Sequence, residues 1–512
     1  MRGVALALII AAVVVVAVRW NSWVAGGSDS YCYVHQAERW ASALGDLAGG
    51  RRPALQVAEP LALDAPWADA ARAFAPAGHV PSPTVPGAIV PVCPAGLSIA
   101  MAPFVAVGGP RAAFLVLPLF GALLIAATYQ VGSRFGGHVG LASAIVTATS
   151  PVFLYQLVQP MSDVPAAALW MLAVAAATGP GRSASIYSGV LVSAAIVMRP
   201  NLVPLGVAVG VYLLFRPERS WPTRLRGAMV YALCCAVGCI AVALVQWSFY
   251  GSPWASGYGS LSALFAVEHI WPNARRYGEW VWQTQTPAIV IAMLAPGLLP
   301  GGLVALLAAM CAINIALYLP YVVFEDWSFV RFLLPTLPLM LVLVVASLDA
   351  MLGRARLPLR RAAVLVAALA LTIPAVAEAR SRSAFRLQRL ESRFERVGTF
   401  VARRLPERAL VITSWESGSV RFYGHRKTLV WDQLPRESLE QALVYVRQRG
   451  YEPFLLFERW EEPLFREHFG GRDIGALDWP PAAEVAAQVR IYRPDDRLRY
   501  LQGLAAPTEY VP

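Results

Sequence analysis

The chain has 512 residues, 57% hydrophobic and 15% charged, with a formal net charge of +11. A soluble protein carries about 25% charged residues, and a mean hydropathy of +0.52, with the apolar excess in residues 1–378, excludes an ordinary soluble enzyme. The basic balance does not point to nucleic acid, because the arginines cluster in short loops between apolar runs, the pattern that orients membrane proteins; Lys427 is the only lysine.

The first apolar run, 3–18, follows Arg2 and reads as a retained anchor rather than a cleaved signal. Residues 19–93 form a long loop rich in Ala and Pro, with an amphipathic stretch over 31–47. The next run, 94–109, is interrupted by Pro103 and is expected to re-enter or to lie along the interface. Spans are then predicted at 112–131, 138–158, 161–178, 186–198, 201–215, 228–249, 288–299, 303–324, 332–351 and 362–377, eleven with the anchor. Several fall short of the ~20 residues of a straight crossing. Placing Arg2 inside puts Arg134, Arg182, Arg216, Arg219, Arg224, Arg226, Arg354, Arg356, Arg360 and Arg361 inside, against Arg199, Arg275, Arg276 and Arg331 outside. The loops 19–93 and 250–287 and the tail then share the outer face.

The tail, 380–512, reads as a small α/β domain. Phe385, Leu390, Phe394, Val397 and Val401 recur at helical spacing over 382–404. Short buried strands are predicted at 409–413, 428–431 and 453–457, with helices at 437–449 and 461–469, an alternation that suggests a partly parallel sheet. Of the six cysteines, Cys234, Cys235, Cys239 and Cys311 fall in apolar runs and read as packing residues. Cys32 and Cys93 flank the first long loop and would close it as a disulfide in an oxidising compartment.

Asp163 is the only carboxylate between Asp69 and Glu218. An acid among membrane helices costs ~2.5–3.5 kcal/mol and by default marks a functional site. The alternative is an N-cap ahead of Pro165, although Ser162 is available for that task. Asp29, in Gly26-Gly27-Ser28-Asp29-Ser30-Tyr31, is either an N-cap without a capping box or a general base at the membrane surface. Arg331 either snorkels or clamps a phosphate, which a guanidinium matches bidentately; Arg199 is a weaker candidate for the same role. His35, Glu38 and Arg39 read as a solvated face or local pairs. The turn-rich loop 251–259 lacks the pattern of a phosphate loop; it is either a ligand-approaching backbone or an ordinary exposed turn, and its Trp254 and Tyr258, with Tyr33 from the first long loop, are the substrate-binding candidates. Trp415, Trp431 and Trp460 read as core residues, with stacking on sugar rings as the alternative.

Taken together, the Asp29 loop, Pro91-Val92-Cys93-Pro94-Ala95-Gly96, the Ser162-Asp163 helix start and Trp327 to Arg331-Phe332-Leu333-Leu334-Pro335 resemble the GT-C superfamily of membrane glycosyltransferases. The nearest branch includes protein mannosyltransferases and aminoarabinose transferases. The resemblance implies a polytopic α-helical protein with a GT-C-like membrane part, 1–379, and a small extracytoplasmic α/β domain. It further implies a polyprenyl-phosphate sugar as donor, transfer on the outer face of a bacterial inner membrane, and an acceptor that is a glycan, a lipid or a protein. Asp29 would be the catalytic base, Asp163 would support the acceptor or a metal, and Arg331, with Arg199, would meet the donor phosphate. Many relatives carry a second acid beside the first; here Ser30 follows Asp29. A divalent cation, magnesium or manganese, between Asp29 and Asp163 is the one cofactor the resemblance leaves room for. The competing classes are a transporter or flippase of a lipid-linked saccharide and a non-catalytic envelope scaffold.

Overall fold

The computed structural model describes residues 2–51, 53–181, 183–216, 220–471, 473–504 and 507–511; Arg182 and Arg219, two of the orienting arginines, lie outside the described residues. Among these residues, four helices are long and apolar enough to cross a membrane: Arg2–Arg19, Pro110–Gly132, Trp221–Tyr250 and Leu357–Ser381. Two further apolar helix pairs are sharply bent, Gly137–Thr149 with Pro151–Leu157 at 61° and Trp327–Leu333 with Leu337–Met351 at 78°. The breaks fall at Pro151 and around Pro335, where a missing N–H interrupts the helical ladder. Each of the eleven predicted runs becomes one of these segments or a shorter apolar helix. The run expected to re-enter becomes the Ala95–Gly108 helix.

At the centre lies the Asp163–Ala177 helix, buried on nearly every side. Its many alanines let the Pro110–Gly132 and Ala184–Met198 helices pack directly against it, as small residues do between membrane helices. The 30-residue Trp221–Tyr250 helix is peripheral and exposes Met229, Leu233, Val237, Ile240 and Leu244. Cys239 also faces outward on it, so it is not a packing residue.

A charged knot ties one end of the bundle. The Asp349 carboxylate, buried at the end of the Leu337–Met351 helix, lies 2.7 Å from His138 Nε2 and accepts from Arg360 Nε at 2.6 Å. A second Arg360 N–H also donates to it. Three helices are thus joined through one acid.

The other end carries a polar head. Its first part is the Asp29–Ala48 helix, followed by a three-stranded antiparallel sheet in the order Val57–Ala58, Ala88–Pro91, His79–Pro81. A Cys32–Cys93 disulfide closes this segment. Its second part is a six-stranded mixed sheet in the order Lys427–Leu429, Ala409–Ile412, Glu452–Glu458, Val489–Tyr492, Ala483–Val485, Glu509–Val511. The first three strands are parallel, as predicted; the last three were not anticipated. The helix expected from residue 382 starts at Leu387, after a left-handed turn at Ser383.

The division at residue 379 does not describe the core. Leu61, Trp67, Ala73 and Phe74, from the first long loop, pack into one cluster with Leu410, Trp431, Leu443 and Phe457. Glu59 is fully buried and holds Arg421 Nη1 at 2.7 Å and Lys427 Nζ at 3.0 Å. The first loop is therefore part of the α/β head. Inside that head, burial pushes the Glu416 carboxyl up to about 8, and Glu416 Oε1 has no hydrogen-bond partner among the described residues.

Two predictions follow from these buried acids. Asp349→Ala leaves Arg360 and His138 without their shared counter-charge and should destabilise the bundle by roughly 3 kcal/mol, read as a lower melting temperature in detergent. Glu416 has a raised folded pKa, so the stability it contributes is complete below about 4.5 and is lost as pH rises toward about 8. The melting temperature of Glu416→Gln minus that of the native chain should therefore grow from pH 5 to pH 8 and then level off.

Candidate active site

Both singled-out acids occupy the first residue of a helix. Asp29 opens Asp29–Ala48 and Asp163 opens Asp163–Ala177, where the helix dipole favours negative charge. Neither is an N-cap. Ser28 and Ser162 hold the cap positions, and among the described residues neither makes a side-chain cap bond. Ser162 Oγ instead accepts from Tyr33 OH at 3.0 Å. Tyr33 lies one turn after Asp29, so this single bond joins the two helix starts.

Each acid is held by one of the two predicted arginines. Arg199 Nη1 donates to Asp163 Oδ1 at 2.6 Å, and both side chains are buried. Arg331 Nη2 donates to Asp29 Oδ2 at 2.9 Å, with Asp29 the more open partner. Neither arginine snorkels away. The Arg331 side chain is largely covered, and its Nε has no hydrogen-bond partner among the described residues.

The backbone explains this convergence. The 78° bend turns the Trp327–Leu333 segment across the end of its partner helix, which carries Arg331 over Asp29. Arg199 sits in extended backbone at the end of the Ala184–Met198 helix. Gly96 lets the Ala95–Gly108 helix close on that corner, since a Cβ there would lie 2.4 Å from Met198 Cα. Phe332 lies between the guanidiniums, 5.6 Å from Arg199 and 5.5 Å from Arg331. Its ring stacks on Tyr318 at 4.8 Å, and Tyr318 OH accepts from Asn201 Nδ2 at 2.7 Å. Phe332, Tyr318 and Asn201 were not predicted; they are ordinary residues of apolar runs, and only the fold places them here.

Of the loop aromatics, Tyr258 comes within electrostatic reach of Tyr33, Asp29 and Arg199. Trp254 does not join the site: it projects from the loop, 91% exposed. Burial raises the Tyr33 hydroxyl pKa, with the Asp29 charge adding to it, so Tyr33 stays a neutral donor. His35 is not on a solvated face; it stacks on Tyr31, and its Nδ1 lies 3.2 Å from His79 Nε2. Burial pushes it down to about 4.

Each carboxylate is paired with a guanidinium, and among the described residues no group of three or more His, Cys, Asp or Glu lies together. What the arrangement offers is a partly open carboxylate beside two arginines, one with a spare N–H, at the junction of an apolar bundle and a polar head.

The family model described as dolichyl-phosphate-mannose-protein mannosyltransferase matches residues 93–247, a stretch that contains Asp163 and Arg199. The fold is similar to that of ArnT from Cupriavidus metallidurans bound to undecaprenyl phosphate, with a TM-score of 0.55, 12% identity and coverage of 98% of this chain and 99% of that one. The same protein in its apo state gives a TM-score of 0.55 at 14% identity, covering 98% of each chain. Arabinofuranosyltransferase AftD from Mycobacteria matches with a TM-score of 0.50 and 16% identity over 88% of this chain, which spans only 35% of AftD. No curated protein matches the sequence. The class is thus that of a membrane protein resembling GT-C glycosyltransferases. Within it, the chain shares its full-length architecture with ArnT.

The buried pair can be tested alone. Arg199→Met should strand the Asp163 charge and cost about 3–5 kcal/mol. Combined with Asp163→Asn, much of that loss should return, and the non-additivity would appear in melting temperatures of the two single variants and the double.

Proposed function

We propose that the protein is an inverting glycosyltransferase that moves a sugar from a polyprenyl-phosphate donor to an acceptor hydroxyl on the outer face of a bacterial inner membrane. The observation that carries this reading is the Asp29–Arg331 pair: an accessible carboxylate held by a guanidinium that keeps a buried, unused N–H. The arginine distribution supports an inside N-terminus and an outside head. The likeness to the fold of ArnT, a structure bound to undecaprenyl phosphate, supports the donor class.

In this mechanism the donor phosphate competes with Asp29 for Arg331. A guanidinium binds phosphate bidentately, so Arg331 turns to the donor and leaves the Asp29 carboxylate free to accept a proton. The acceptor O–H proton passes to Asp29 while the acceptor oxygen attacks the anomeric carbon from the side opposite the phosphate. The anomeric C–O bond breaks, its electron pair stays on the phosphate oxygen, and Arg331 and Arg199 stabilise that charge. A single displacement inverts the configuration, as in inverting glycosidases. Asp163 positions Arg199, and through Ser162 and Tyr33 the Asp29 helix. The arginines supply the charge neutralisation that a cation would otherwise give.

Reconstituted protein with a polyprenyl-phosphate sugar should transfer the sugar, and Asp29→Asn should lower turnover at least 100-fold with expression intact. Wild-type turnover in that variant would remove Asp29 from the chemistry. Arg331→Ala should weaken polyprenyl-phosphate binding about tenfold, whereas an unchanged Kd would retire the clamp. Movement of lipid without transfer would mark a flippase; neither activity would mark a scaffold.

A further inference from the structure

The head presents two open indoles beside the catalytic loop. Trp415 is 39% and Trp460 53% exposed, and their ring centroids lie 6.2 Å apart at 74°. Trp431 and Trp479, by contrast, are buried. Isolated apolar residues on a surface need no explanation. This pair does, because buried charge is used to hold it in place. Glu461, fully buried, accepts from Trp415 N at 3.2 Å and from Glu458 N at 2.9 Å. Glu458 accepts from Trp460 Nε1 at 2.8 Å and from Arg393 Nε at 2.8 Å. Burying carboxylates is costly; here Glu458 holds the Trp460 indole and Glu461 holds the Trp415 backbone, while both indoles stay partly exposed.

The position of the pair narrows its use. Trp415 packs on Gly27: a Cβ there would lie 3.6 Å from Trp415 Cζ2. Phe394, on which Arg393 rests at 4.2 Å, occupies the space where a Gly26 side chain would be. Asp29 follows Gly27 by two residues, a span of roughly 7 Å at most. The platform therefore borders the loop that carries the proposed base, from the side of the head.

We infer that Trp415 and Trp460 form a saccharide-binding platform that presents the acceptor sugar to Asp29. The C–H face of a pyranose ring packs on an indole face, whose π-electrons carry negative charge, while Glu458 and Arg393 hold the Trp460 indole from beneath. The inference rests on the proposed function and narrows its acceptor to a glycan or the sugar head of a glycolipid.

The test uses the full chain in nanodiscs and hexasaccharides of glucose, mannose, N-acetylglucosamine and arabinose as probes, with binding read by calorimetry. The wild type should bind at least one of them. Trp415→Ala and Trp460→Ala should weaken that binding tenfold or more, about 1.4 kcal/mol, with polyprenyl-phosphate Kd unchanged. Trp460→Phe should stay within threefold of wild type. In transfer assays Trp460→Ala should raise acceptor KM about tenfold with kcat held within twofold. Failure of the wild type to bind any probe at millimolar concentration, or equal binding by Trp460→Ala, overturns the platform. The donor and Asp29 measurements stand apart from it, so the glycosyltransferase reading would survive that result.

Discussion

The structure depends on two carboxylates being neutralised by two guanidiniums at the junction of an apolar bundle and a polar head. Asp163 and Arg199 are buried together, and either charge alone there would be prohibitively expensive. That pair fixes the corner after the Ala184–Met198 helix and the start of the central helix. Tyr33 then bonds to Ser162 and carries the constraint to the helix that Asp29 opens. The bend before the Leu337–Met351 helix brings Arg331 to meet Asp29, and Phe332 separates the two cations. Removing one member disturbs the position of the others.

The head adds a second set of restraints on the same helix start. Cys32 is bonded to Cys93, Ala25 N donates to Tyr423 OH at 2.8 Å, and Gly418 lies against Tyr31. Gly26 and Gly27 admit Phe394 and Trp415 to close range. Asp29 is thus held from the bundle by an arginine and from the head by packing. An acid fixed from both sides is already oriented, which is the preorganisation that the proposed role of Asp29 as a base requires.

The parts of this arrangement that could be read from sequence are those where a residue stands out against its surroundings. Asp163 was visible because it is a charge in a long uncharged stretch, and Arg331 because it sits among aromatics at the end of an apolar run. Asp349 shows the limit of that reasoning: it too is an acid in an apolar run, yet its carboxylate is taken up by His138 and Arg360 in a knot between helices. Tyr258 and Trp254 come from one turn-rich loop, and only the path of that loop makes Tyr258 less exposed than Trp254 and brings it toward Asp29. Ser162 had the right position for a cap, but a long-range bond to Tyr33 won. The parallel strands Ala409–Ile412 and Glu452–Glu458 carry continuous apolar runs and were legible, whereas Lys427–Leu429 lies a residue ahead of the apolar run read as its strand; the short strands near the end of the chain, Ala483–Val485, Val489–Tyr492 and Glu509–Val511, are interrupted by polar residues and take their form from pairing. The sharing of one core by residues 61–74 and 410–457 lay beyond any local pattern, because it joins segments more than three hundred positions apart.

That shared core has a consequence for how the molecule is made. Leu61, Trp67 and Phe74 are synthesised long before Leu410, Trp431 and Phe457, their packing partners. Until the ribosome has delivered those later strands, the early segment has no mate for its aromatic surface, and the bundle must be threaded meanwhile. Such non-local closure is slow and leaves intermediates prone to aggregation. Assembly of the head is therefore a late event in biogenesis, and a truncated chain that inserts correctly would still leave its first loop unfolded and open to proteolysis.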